Sequence, residues 1–318
     1  MSRVAGHRRR NRDIGYSMRA LATYIMRGRS QAMLAVVGFA TLSMIIPLLS
    51  YLSAAAVALV TLRLGALPGL TLILTSSAFI GILSLFSKFV MGMMPAMLSL
   101  ALLVVLLWML ALVLRQTRSL AMTILAAAAV GLVVILGFHA AIGDSVTWWQ
   151  HVLRLWFGPA IEHAGEDSQQ MYLLLDDWAP HMTGFVASAV IVNALLCLFL
   201  ARWWQAMLYN PGGFGAEYHA LQLGRQFAVV TLVVGVLAWI PMGVVTVIMK
   251  DVLMLCMTIY VLQGLAVIHD VIARRKMQSA WFIGVYIIVF VMSQLVAMIG
   301  FIDTWAELRN RFAPDNKV

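Results

Sequence analysis

The chain has 318 residues, 63% of them hydrophobic and only 11% charged, with a mean hydropathy of +0.93. A soluble domain carries about 25% charged residues, so this composition excludes a water-soluble globular protein. Apolar runs close to twenty residues long point instead to helices that cross a membrane.

The formal net charge is +9, and its placement decides what it means. Residues 1–31 form a basic tail in which Arg3, Arg8, Arg9, Arg10, Arg12, Arg19, Arg27 and Arg29 are opposed only by Asp13, which gives +7 of the total. Basic residues ahead of a first span keep that end cytoplasmic and meet anionic headgroups. That ordinary role argues against nucleic acid as a partner and makes membrane lipids the expected one. The basic region is too long for a secretory signal, and the apolar stretch after it continues to Thr61, so the segment reads as retained. Met18 is an alternative start that would leave Arg19, Arg27 and Arg29 as the orienting charge.

The apolar runs are 32–48, 50–62, 65–87, 90–114, 119–140, 182–204, 226–249, 252–269 and 279–301. They predict an all-α, polytopic transmembrane bundle of eight or nine spans, with helices 1–5 in 32–140 and helices 6–9 in 182–302. As one helix, 32–61 would extend about 45 Å, well beyond a hydrocarbon core of about 30 Å. Pro47, with Ser50 and Ser53, supplies a break, so the first pair is expected to be short or re-entrant. With that break and a cytoplasmic N-terminus, Arg63, Arg115, Arg118, Arg202, Arg225, Arg274, Arg275 and Lys276 share the cytoplasmic face. Lys88, Arg154 and Lys250 take the other. A single crossing over 32–61 inverts this distribution, against the positive-inside rule. The expected setting is a bacterial inner membrane. The same count places the tail 303–318 on the outer side; its alternative is an amphipathic stretch along the interface, carrying Trp305, Leu308 and Phe312.

Residues 141–181 read as an extracytoplasmic insertion. Trp148, Trp149, Val152, Leu153, Leu155, Trp156 and Phe157 crowd one side of a helix, with Gln150, His151 and Arg154 on the other, as in an interfacial helix ended by Gly158-Pro159. A second short helix is expected at about 167–178. This insertion is either a plain connector or a lid over a cavity. The spacing of His139, Asp144, His151, His163, Glu166 and His181 matches no metal-ligand pattern, so no metal is expected. Cys197 and Cys256 lie in apolar runs and read as buried thiols, and no cofactor is implied.

Ion-coupled transport tends to leave a charged group at mid-span. Lys88, Lys250, Asp251, His269 and Asp270 fall at span ends, where they can snorkel. Neutral groups remain in the spans: Ser76, Ser77, Asn193, Gln263 and Gln294. The three amides either bond between helices or line a site for a neutral or amphipathic ligand. Pro95 and Pro241 are expected to kink their helices.

The most distinctive segment is the cytoplasmic loop 205–225 with its approach from Arg202, Trp203 and Trp204. Asn210-Pro211-Gly212-Gly213, followed by Gly215, predicts a tight turn, and Glu217 and His219 begin a return helix. No Lys-Ser/Thr follows these glycines, which excludes a nucleotide P-loop. The Met18-Arg-Ala-Leu-Ala opening, Met26-Arg-Gly-Arg, the Ala-Arg-Trp-Trp-Gln run and Asn-Pro-Gly-Gly-Phe-Gly together resemble the YybS-like family of bacterial membrane proteins of unknown function. The resemblance covers about Met18 to Phe301. That family is distantly similar to substrate-binding components of energy-coupling-factor transporters, which implies a helical bundle with a small-molecule pocket and supplies no site residues. The chain departs from a simple six-helix plan in its extra spans and its 141–181 insertion.

Two functions follow as expectations. One is binding or transport of a neutral or amphipathic small molecule or lipid. The other is a membrane scaffold or regulator that docks a protein through the loop and the basic tail. No nucleophile, acid/base pair or metal set supports an enzyme.

Overall fold

A computed structural model describes residues 16–86, 94–163, 168–275, 277–278 and 280–311. All regular elements among them are helical. The helices are α1 (16–26), α2 (Arg29–Leu42), α3 (Leu49–Leu64), α4 (Ala66–Phe86), α5 (Met94–Thr117), α6 (Leu120–Ile142), α7 (Ser145–Ile161), α8 (Ser168–Trp178) and α9 (Met182–Tyr209). They are followed by α10 (Gly213–His219), α11 (Arg225–Trp239), α12 (Val244–Arg274), α13 (Ala280–Val291), α14 (Ser293–Ala306) and α15 (Leu308–Arg311). Among the described residues four stretches are long and apolar enough to cross a membrane: Leu100–Thr117, Leu120–Ile142, Ser168–Tyr209 and Val244–Arg274. A fifth forms if α13 and α14, bent by 104°, make one broken span. The chain is a multi-pass helical membrane protein.

The expected eight or nine spans are therefore not borne out. The reason is helix breakage within apolar runs. The 32–62 run breaks as predicted around Pro47, leaving helices of 14 and 16 residues. At 1.5 Å per residue these reach only about 21 and 24 Å, short of a hydrocarbon core of about 30 Å. The 226–249 run does not kink at Pro241 but stops: α11 ends at Trp239 and α12 begins at Val244, after Gly243 with φ +61°. The remainder of that run joins 252–269 in one helix of 31 residues. Lys88 and Gly92-Met93 lie outside the described residues, as do Glu166, Asp167, Lys276, Phe312 and the tail to Asp13; nothing is described of the Pro95 side chain.

The chain divides into two units. The first comprises 1–123 and 193–218. Its centre is α3, whose residues from Ser53 to Leu62 are all buried. Ala54, Ala55, Ala56 and Ala58 make that possible, because small side chains let neighbouring backbones approach closely. α2, α4 and α5 pack around it. Ser53 donates to the Val36 carbonyl (2.9 Å), fastening α3 to α2. Beyond the α3 C-terminus Gly65 takes φ +111°, and Arg115 of α5 donates through Nη1 to the Leu62 carbonyl at 2.9 Å. A cation there meets carbonyls that the helix leaves unsatisfied.

The second unit comprises 124–192 and 219–318. Its closest packing is α12 against α14. A Cβ on Gly264 would collide with the Val296 carbonyl, and one on Gly300 would lie 2.6 Å from the Gly264 nitrogen. Glycine is therefore required where the two backbones touch. Beside that crossing, Gln263 donates to the Gly300 carbonyl (2.8 Å) and accepts from the Leu223 N–H (2.9 Å). Asp303, fully buried, pairs with Arg309 at 3.4 Å, and Arg309 also donates to the carbonyls of His219 and Leu221. The 303–318 segment thus begins as folded core rather than as a tail.

The 141–181 insertion contains the two expected helices, α7 and α8. Trp149 turns inward, packs with Leu153 and Ala179, and donates to Thr183 Oγ1 at 2.9 Å. Leu155, Trp156 and Phe157 stay exposed, as an interfacial helix requires. Pro159 does not end α7, which runs on to Ile161. Pro159 forfeits its own bond to the carbonyl four residues back, and the helix stops two residues later. Arg154 Nη2 reaches both carboxylate oxygens of Asp176, at 2.9 and 2.7 Å, and ties α7 to α8.

Two predictions follow from this packing. Replacing Gly300 with valine should lower stability by about 1–3 kcal/mol or prevent folding, whereas Gly284→Ala, facing open space, should be neutral; thermal unfolding in detergent separates them. Asp144 caps α7 by accepting from the Thr147 hydroxyl (2.6 Å) and Thr147 N–H (3.1 Å), and these bonds hold its carboxyl below the usual aspartate range. A depressed folded pKa contributes stability above the unfolded value of about 3.9 that is lost as pH falls through the folded value. The protection of the Thr147 amide, its exchange rate relative to that of a free peptide at the same pH, should fall below about pH 4, and Asp144→Asn should remove most of that dependence.

Candidate functional site

In the first unit α2, α3, α4 and α5 leave a cavity of about 210 Å³ between them. Val36, Ala40, Val57, Ile73, Ile80 and Val104 give it apolar walls, while Ser53, Ser76 and Ser77 supply the hydroxyls. Ser53 is committed to the Val36 carbonyl. Ser76 is 3% exposed, and its hydroxyl has no partner among the described residues. A buried hydroxyl without a partner is costly, commonly about 1–3 kcal/mol, so a place for a polar atom is open there. A second cavity of about 470 Å³ lies against α1, α2, α3 and α4, with Ile25, Met33, Val60 and Leu72 in its wall and Arg29, Ser30, Thr71 and Thr75 as its polar groups. Ser76 and Ser77 were legible from sequence only as polar residues in an apolar run. What marks them is the gap left beside the alanine-rich α3.

The three amides have separate fates. Gln263 is wholly buried, and both ends of its amide are spent on backbone groups, so it pins the α12–α14 crossing. Gln294 is exposed at the start of α14 and accepts from Ser293 at 3.2 Å. Asn193, half-buried in α9, meets the Cys197 thiol at 3.8 Å. None of the three lines either of these cavities.

The loop motif forms the expected turn. Gly212 has φ +86°, which glycine adopts without strain, and Gly213 N–H bonds to the Asn210 carbonyl at 3.0 Å. The chain turns at Pro211 into α10, on which Gly215 faces open space. Glu217 returns to Arg202, accepting from Nε at 2.9 Å and from Nη2, while Arg202 Nη1 donates to Gln205 at 2.6 Å. Phe214 and Tyr218 stack and meet Phe199. Trp203 is partly exposed, whereas Trp204 is wholly buried with no partner for its N–H among the described residues. In the second unit His219 lies 3.9 Å from Asp270, which also holds Arg274 at 2.7 Å.

One arrangement escaped the sequence. Asp251 was expected to snorkel at a span end, yet it is 1% exposed. Its carboxylate bonds His139 Nε2 at 2.8 Å and accepts the Gly184 N–H at 3.0 Å. Gly184 permits this because any Cβ would lie 2.7 Å from the Asp251 Cα. His139 and Asp251 stand 112 positions apart, so nothing in their spacing announces the pair. Asp270, likewise expected to snorkel, is 5% exposed and ion-paired.

No family model, curated protein or solved structure matches the chain.

His139→Ala should destabilise the protein by about 3 kcal/mol, because it leaves a buried carboxylate with one backbone donor. Asp251→Asn, which keeps an acceptor for Gly184, should cost less. Thermal unfolding of both variants in the same detergent ranks them.

Proposed function

We propose that this membrane protein binds an amphipathic, lipid-like molecule, with the cavity among α2, α3, α4 and α5 as its site. The supporting observation is the Ser76 hydroxyl, buried and without a partner among the described residues, in a pocket whose other walls are mainly aliphatic, with Ser53 and Ser77 as its further hydroxyls. Such a pocket takes an apolar body and bonds one small polar group, the usual composition of a ligand site. The walls carry no charge, so the reading favours a neutral contact group over an ion. Binding is the whole of the reading, and transport would need a second state of the helices. The expected setting remains a bacterial inner membrane with the basic N-terminal tail on the cytoplasmic side, on the positive-inside rule. The resemblance of about Met18 to Phe301 to YybS-like proteins, most specific in the 202–219 region, is in keeping with a pocketed bundle and belongs to the same proposal.

Gly81 lines the cavity, and a Cβ on it would meet open space. Gly81→Leu therefore fills the pocket without a clash. Native mass spectrometry of the purified protein should show a co-purifying lipid-like mass whose occupancy falls about tenfold in Gly81→Leu, with Ser76→Ala between the two. Equal occupancy in wild type and Gly81→Leu, with both proteins folded, would overturn the assignment.

A further inference from the structure

The first unit carries a third concavity, apart from the two already described. Leu62, Arg63, Leu114, Arg115, Arg118, Arg202, Gln205 and Glu217 line a pocket of about 420 Å³. Four arginines against one glutamate leave it a formal +3. Glu217 is also the only carboxylate among the described residues of this unit, so no other protein acid there is at hand to balance the surplus.

The four guanidinium groups are not equivalent. Arg202 is saturated, since Nε and Nη2 go to Glu217 and Nη1 to Gln205. Arg115 is fixed by its Nη1 on the carbonyls of Leu62 (2.9 Å) and Thr61 (3.5 Å), at the end of α3. That anchor leaves the Nε–Nη2 edge, the fork that fits two oxygens of one anion. Arg63 lies over the Tyr209 ring at 4.2 Å, a contact that positions a cation without neutralising it. Arg118 sits in the connection after α5 at φ +52°, a conformation uncommon outside glycine, and it makes no ion pair among the described residues. The positive-inside rule explains arginines near one membrane face. It does not explain their convergence on one concave site, with one of them held in place by a helix end and its fork left open.

We infer that this pocket is an anion site for a phosphate ester, bound by the open edge of Arg115 together with Arg63 and Arg118, with the Arg202–Glu217 pair as its wall. Guanidinium matches phosphate geometry in a bidentate way, and a volume of this size holds the phosphate with a small polar substituent. The phosphate can come from an anionic lipid headgroup or from a soluble phosphate ester. The site shares no lining residue with the Ser76 cavity, so either assignment can fail alone.

The test uses the full chain in a neutral detergent. Retention of dioctanoyl-phosphatidylglycerol, dioctanoyl-phosphatidylcholine and inorganic phosphate is measured by native mass spectrometry, with a competition arm in which glycerol phosphate is added to the phosphatidylglycerol complex. Arg118→Gln and Arg63→Gln should each weaken phosphatidylglycerol or phosphate binding about tenfold, the loss of one charge-assisted contact. Glu217→Gln should tighten it about threefold by removing the competing carboxylate. Phosphatidylcholine retention should not follow the variants. Displacement of the lipid by glycerol phosphate assigns the site to a soluble ester, and resistance to it assigns the site to a headgroup; both support the inference. Equal retention of the two lipids with no phosphate binding, or monodisperse arginine variants that bind phosphatidylglycerol as wild type does, would overturn it and leave the arginines with an orienting role only.

Discussion

In hydrocarbon, helices gain nothing by hiding apolar surface from one another, because the lipid tails are as apolar as leucine. What joins them must be close backbone packing and a few polar pins, and both units rest on that constraint. In the first, the alanine run of α3 lets α2, α4 and α5 close around one thin helix. In the second, Gly264 and Gly300 bring α12 and α14 into backbone contact, and Gln263 fastens the crossing where they meet. The same requirement places the buried carboxylates. Asp251, Asp270 and Asp303 are each matched by a histidine or an arginine. Taking a charge out of water is tolerable only when a partner and further hydrogen bonds replace the water.

Much of this architecture was legible in the residues. Apolar run length gave helices, Pro47 gave the break, and aromatic clustering gave the paired helices of the 141–181 insertion. Asn210-Pro211-Gly212-Gly213 announced its turn. These are local signals, set by dihedral preference and side-chain periodicity within a few residues. The span count failed because hydropathy measures composition and not continuity. The stretch from Ile240 to Gly243 is as apolar as its surroundings, yet the chain is not helical there.

The candidate sites were harder to see, for a reason of the same kind. Ser76 reads as an ordinary serine until α3 proves too slender to fill the space beside it. Gln263 reads equally as an interhelical tie or a ligand amide in sequence, and its bonds to Leu223 and Gly300 are what favour the tie. The His139–Asp251 pair and the convergence of Arg63, Arg115, Arg118 and Arg202 join residues far apart in the chain. Topogenic reasoning put those arginines on one face of the membrane. That they line one pocket is a fact of packing, which a single sequence does not encode at any fixed spacing.

The turn between α2 and α3 has a consequence for how the chain meets the bilayer. Leu42, Ile45, Ile46 and Leu48 stand exposed at that turn, and no charged residue lies between Arg29 and Arg63. Its backbone is nonetheless provided for: the N–H groups of Ser43, Met44, Ile45, Ile46 and Leu49 all bond to carbonyls within the turn and the helix before it. Irregular backbone with its donors satisfied can sit at membrane depth. Helices of 14 and 16 residues reach only about 21 and 24 Å, so a turn with this greasy tip suits a short hairpin better than two full crossings of a core of about 30 Å. Arg29 and Arg63 stand at the two open ends of that hairpin, so its charge is confined to the end away from the turn.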